Sequence, residues 1–125
     1  MDEQEFKNLT KQLALRIIQL VNFLPNETGA KTIGRQLLRS GTSVGANYRA
    51  ACRAKSATDL INKLLIVEEE ADESLYWMEL LIEGQIIKET KLLNLIKDLN
   101  EVVSMTVSLI NTLHVEQILN PQSEI

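Results

Sequence analysis

Four amphipathic segments, separated by short breaks, predict an all-α protein: an antiparallel up-down-up-down four-helix bundle. Two further observations point the same way. Aromatic residues make up 4% of the chain, with five glycines and two prolines. That leaves too few strand formers and turn residues for a sandwich or barrel. Apolar residues reach 45% and charged residues 24% over 125 residues. This is the balance of one ordinary globular domain spanning residues 1–125, with enough apolar material to bury a core.

The first helix is expected over residues 3–24. Phe6, Leu9, Leu13, Ile17, Leu20 and Leu24 recur at spacings of three and four, which places them on one face. Pro25 and Gly29 then break the pattern. The second helix, residues 28–55, has Ile33, Leu37, Val44, Tyr48 and Ala51 on one face. Its middle, Ser40-Gly41-Thr42-Ser43-Val44-Gly45, reads by local propensity as a loop. The face nevertheless stays in phase across it, which favours one long helix whose small residues admit a close neighbour. The competing expectation is a helix-loop-helix broken near Gly41.

The third helix, residues 56–83, opens on Ser56 as N-cap with Asp59 three positions on, a variant of the capping box. Its core face is Leu60, Leu64, Val67, Ala71, Leu75, Met78 and Ile82, and Gly84 is the expected stop. The fourth, residues 88–113, carries Leu92, Ile96, Leu99, Val103, Ile110 and Leu113. Residues 114–125 read as a frayed tail.

The third helix has more apolar surface than one core can use. Ile66, Trp77 and Leu80 lie well around from Val67, Ala71 and Met78 on the helical wheel. Such a stripe is expected of a subunit interface. Glu73 stands within it and needs a partner. Arg39, Ser43 and Asn47, spaced by four on the second helix, form a polar ladder able to supply one. An Arg39–Glu73 ion pair supported by Ser43 and Asn47 is the expected structural network, setting register or assembly geometry.

Charge is strongly segregated. Thirteen basic against seventeen acidic side chains give a formal −4 overall. By segment the balance is −1 for residues 1–27, +6 for 28–58, −7 for 59–83 and −2 for 84–125. Lys31, Arg35, Arg39, Arg49 and Arg53 form one basic stripe within an arc of roughly 80°. It can contact phosphates, or it can pair with the acidic third helix. Pairing is the expected explanation.

Recognised catalytic patterns are absent, and no enzyme activity and no cofactor are expected. Glu70-x-x-Glu73 could be half of a carboxylate metal site, but the one histidine, His114, falls outside that pattern. Cys52 is the only cysteine, so an intrachain disulfide is impossible and a reducing compartment is expected. The acidic start, Met1 to Glu5, lacks a signal-peptide n-region. Apolar runs such as Leu80-Leu81-Ile82 are too short to span a bilayer. A cytoplasmic protein with no membrane contact follows as the expectation.

Two blocks carry a family resemblance. One is Gln36-Leu37-Leu38-Arg39-Ser40-Gly41-Thr42-Ser43-Val44-Gly45-Ala46-Asn47; the other is Glu70-Ala71-Asp72-Glu73-Ser74-Leu75-Tyr76-Trp77-Met78-Glu79-Leu80-Leu81. Together they resemble the bacterial four-helix bundle family of the 23S rRNA intervening-sequence protein. The resemblance implies an up-down bundle, a continuous second helix and a ring-shaped homopentamer, with Arg39, Ser43, Asn47 and Glu73 at the family's polar positions and Tyr76 and Trp77 as its aromatic pair. The chain is also similar to the accessory variability protein of diversity-generating retroelements, which acts with a reverse transcriptase and RNA through a basic surface. The expected role is therefore a non-enzymatic oligomeric scaffold or interaction module. The alternative is an RNA-binding accessory protein using Lys31, Arg35, Arg39, Arg49 and Arg53.

Overall fold

The computed structural model describes residues 1–120. Its elements are α1 (Glu3–Asn22), α2 (Thr28–Ala51), α3 (Ala57–Glu83), a 3₁₀ turn (Glu89–Lys91) and α4 (Leu93–Leu119). Neighbours in sequence pack against one another, and α1 also touches α4. Partner numbers fall as α2 is followed forward: Gly34 faces Val21 and Leu24, Gly41 faces Ile17, and Gly45 faces Thr10. The first two helices therefore run in opposite directions. At one end of the α3–α4 pair Thr58 accepts from Gln117, and at the other Ile82 lies beside Leu93, so this pair is antiparallel as well.

Local chemistry explains the helix ends. Asp2 caps α1, its carboxylate accepting from the Glu5 N–H at 2.8 Å. Ser56 caps α3 by accepting from the Asp59 N–H at 3.1 Å. Asp59 answers by accepting from the N–H of Lys55, one residue before the cap. The stop after α3 departs from expectation. Gly84 keeps a right-handed φ of −78°, and Gln85 takes the left-handed one at 60°. The Gln85 N–H bonds Ile82 O and the Ile86 N–H bonds Leu81 O, which is the Schellman pattern.

α2 is one unbroken helix through Ser40–Gly45. The reason is packing. Gly41 is buried against Ile17, and a β-carbon there would press on the Ile17 side chain. The small residues are the surface on which α1 rests, and tertiary contact overrides their weak helix propensity.

The core takes residues from all four helices, among them Leu13, Ile17, Leu37, Val44, Leu64, Val67, Met78, Leu81, Leu99 and Val102. In α3 the most buried line is Ile61, Leu64, Val67, Ala71, Ser74, Met78 and Leu81. The expected Leu60, Leu75 and Ile82 are half-buried on its flank. This helix packs on both α2 and α4, so its buried arc is wider than one stripe.

α4 begins five residues later than expected, because residues 89–91 form the 3₁₀ turn, and it continues to Leu119. His114 and its neighbours are thus helical, not frayed; residues 121–125 of the expected tail lie outside the described residues. An 18-residue window of α4 has mean hydropathy 1.2 and is 17% buried. By length and composition α4 could cross a membrane, although it contains no long unbroken apolar run. Its interior line of Leu95, Leu99, Val102, Thr106 and Ile110 packs into the bundle.

Candidate functional site: the outer faces of α2

α2 has two edges flanking its core face, one beside α3 and one beside α1. The edge beside α3 carries a polar network. Arg39 Nη1 donates to Glu70 Oε2 at 3.1 Å, and Arg39 Nη2 donates to Glu73 Oε2. The Trp77 indole N–H donates to the same Glu73 oxygen at 3.1 Å. One guanidinium therefore bridges two carboxylates a turn apart, and the aromatic ring next along closes the network. Just inside, Ser40 and Ser74 hydroxyls meet at 2.8 Å, fully buried. Ser74 also donates to Glu70 O at 2.9 Å, so the buried pair and the surface network share one turn of α3.

Arg39 and Glu73 are brought together. Ser43 and Asn47 stay apart from them and pair with each other: the Asn47 amide donates to Ser43 Oγ at 2.7 Å and Ser43 O at 2.9 Å. Their spacing of four lets Asn47 reach back one turn on its own helix, which is closer than α3. Sequence reasoning assigned Glu70 no structural partner and overlooked Ser40 and Ser74. The available signal for Glu70 was its position one turn before Glu73 on the same face. For the serines it was two small residues where helices touch.

The apolar stripe flanks this network. Ile66 is 40% exposed, Tyr76 51%, and Leu65 38%, while Trp77 and Leu80 are half-buried. The Tyr76 and Trp77 rings meet edge to face, centroids 5.0 Å apart.

The other edge settles how the basic stripe is disposed. Lys31, Arg35, Arg39, Arg49 and Arg53 are all exposed. Among the described residues only Arg39 of these makes an ion pair. Expected pairing with the acidic helix therefore holds for one member alone. Arg39 sits at the α3 edge, while Lys31, Arg35 and Arg49 line the α1 side. Lys31 and Arg35 edge the α1–α2 groove near Pro25, and Arg49 lines it near Lys7 and Lys11.

Titration is perturbed at only a few places. Burial holds Tyr48 well above the ordinary tyrosine range, with Cys52 beside it adding to the effect. Burial also raises the Cys52 thiol, which disfavours the nucleophilic thiolate. The Lys63 ammonium, then the Lys55 N–H, hold Asp59 below its ordinary value. Among the described residues no three His, Cys, Asp or Glu side chains converge as metal ligands. Glu70 and Glu73, the carboxylates of the half-site considered from sequence, are both engaged by Arg39.

The bundle thus offers a face of internally bridged charge with apolar flanks and a groove whose charged lining residues are all basic. The family model for 23S rRNA-intervening sequence proteins matches residues 2–108, and the chain belongs to that family. A crystal structure of a protein of unknown function from Bacteroides thetaiotaomicron VPI-5482, described as from the S23 ribosomal protein family, is similar throughout. It is 40% identical, covers 89% of this chain and 99% of its own, and superposes with a TM-score of 0.82. No functionally curated protein matches the chain.

Proposed function

We propose that this protein is a non-enzymatic, self-assembling scaffold or interaction module, with the outer α2–α3 face as its subunit interface. The observation that carries the reading is apolar surface set beside carboxylates already partnered within the chain. Ile66, Trp77 and Leu80 border a network in which Arg39 bridges Glu70 and Glu73 and the Trp77 indole donates to Glu73, leaving one net negative charge. Burying this face covers apolar area while each carboxylate keeps a partner within the chain, as interface cores favour. The ring-shaped homopentamer implied by the family resemblance is the assembly we propose. α4 serves as a bundle helix, since one side packs in the core and the other carries Asn100, Glu101 and Asn111.

Light scattering on the purified chain tests this. The expected result is a discrete species several times the 14.1 kDa chain mass. Ile66→Asp with Leu80→Asp should reduce it to monomer while the helical circular dichroism persists. A wild-type monomer at tens of micromolar overturns the reading.

A second reading, nucleic-acid binding, is favoured by the four exposed cations Lys31, Arg35, Arg49 and Arg53, none of which makes an ion pair among the described residues. It predicts RNA affinity that falls steeply with salt and weakens on Arg53→Ala.

A further inference from the structure

The groove between α1 and α2 holds a cavity of about 420 Å³, within the range of small-ligand sites. Lys7 and Lys11 rise from α1 one turn apart, and Arg49 faces them from α2. Gln4 and Thr42 add polar groups at the rim, and Gly45 keeps the floor open. No carboxylate lines the cavity. Glu3 is held to Lys7 across one exposed helical turn at 3.5 Å, a pair too weak to compete with a multivalent anion.

Lysine and arginine facing one another across a groove suit oxygens carrying several negative charges. The lining contains no aromatic residue on which a base could stack. We propose that this groove binds the phosphate chain of a small polyphosphate-bearing ligand, with Lys7, Lys11 and Arg49 as its cationic contacts. Recognition falls on the phosphates and not on any attached base. The groove's charge is also separate from the Lys31–Arg35 cluster. From Arg35 to Arg49 is fourteen residues, roughly 21 Å along the helix. The positions between them on that side, Leu38, Thr42 and Ala46, are uncharged. The site is independent of self-association, because it lies on the α1 side of α2.

Isothermal titration with inorganic tripolyphosphate and with ATP tests the proposal, using the full chain. Both should bind below about 1 mM, with affinities within roughly threefold of each other. Lys11→Ala and Arg49→Ala, both at exposed positions, should each weaken binding by roughly tenfold. Lys31→Ala with Arg35→Ala should leave it unchanged. A twenty-nucleotide RNA provides the other arm. Binding of ATP without tripolyphosphate, or of neither, overturns the proposal. So does tighter binding of the RNA that depends on Lys31 and Arg35 as much as on Lys11 and Arg49, which would assign the basic surface to nucleic acid.

Discussion

Replacing Gly41 by alanine tests why α2 carries small residues through its middle. An alanine in a helix interior is favoured over glycine by about 1 kcal/mol. On propensity alone, Gly41→Ala should stabilise the protein. The structure reverses the sign. The added β-carbon would overlap Ile17 Cδ1 and sit 3.2 Å from Ile17 Cγ2. The terminal methyl can rotate away, but Cγ2 is fixed with χ1, and a β-branched residue in a helix has essentially one χ1 well. Ile17 is wholly buried, so the conflict passes into packed neighbours. Such overpacking costs about 1–3 kcal/mol, and the fixed Cγ2 puts this site in the upper half. The net expectation is a loss of about 1–2 kcal/mol, read as a lower urea midpoint at unchanged slope. Ile17→Ala removes Cγ2 and Cδ1 together and alone costs about 2–5 kcal/mol. In that background Gly41→Ala should cost nothing or recover stability, giving a coupling of at least about 1 kcal/mol. A Gly41→Ala protein at or above wild-type stability, or an additive cycle, refutes the close-packing account.

Other consequences are smaller. Arg39→Ala should cost no more than about 1 kcal/mol in the monomer, since the guanidinium is 49% exposed and solvent screens it; a loss above 3 kcal/mol in thermal melts would mean the network is buried in an assembly. Ser40→Ala should cost about 1 kcal/mol, whereas the Ser40→Ala/Ser74→Ala pair should be nearly neutral, because both hydroxyls leave together and alanine is the better helix former; equal additive losses would disprove the coupling. Gln85→Gly should raise stability by about 1 kcal/mol, measured by urea unfolding, by relieving the left-handed φ of 60°; no gain would show that the glutamine side chain compensates. Asp59 has a depressed folded pKa, so its contribution is present above the ordinary 3.8 and lost as pH falls through the lower folded value. The stability gap between wild type and Asp59→Asn should be constant above about pH 5 and shrink below pH 4; a gap unchanged at pH 3 contradicts the assignment.

The helices were legible because their apolar spacing is long and regular, and phase alone identified α2 as continuous where propensity said loop. What the one-dimensional pattern missed depends on neighbours. The core line of α3 includes Ile61, Ser74 and Leu81 because two helices press on it from different sides, which a single-stripe reading cannot represent. The delayed start of α4 reflects a 3₁₀ turn of ordinary residues, Glu89–Lys91, with no Gly or Pro to announce it. Arg39 and Glu73 could be matched because an acid in an apolar stripe demands a partner. Ser43 and Asn47 satisfy each other locally, and local satisfaction leaves no such demand to read.

Charge segregation follows from the same geometry. A basic helix beside an acidic one in sequence invites the conclusion that they cancel. Side chains interact by position around the helix, however, and the core face of α2 divides its surface. Arg39 alone reaches the α3 edge, and it takes two carboxylates there. Arg49 stands with Lys7 and Lys11 on the α1 side, where α3 cannot follow. The chain therefore keeps a net negative charge while presenting a groove whose only charged lining residues are cations. Self-assembly through the α2–α3 edge would bury the bridged charges and leave that groove open, so the two faces of one helix can serve different partners without competing.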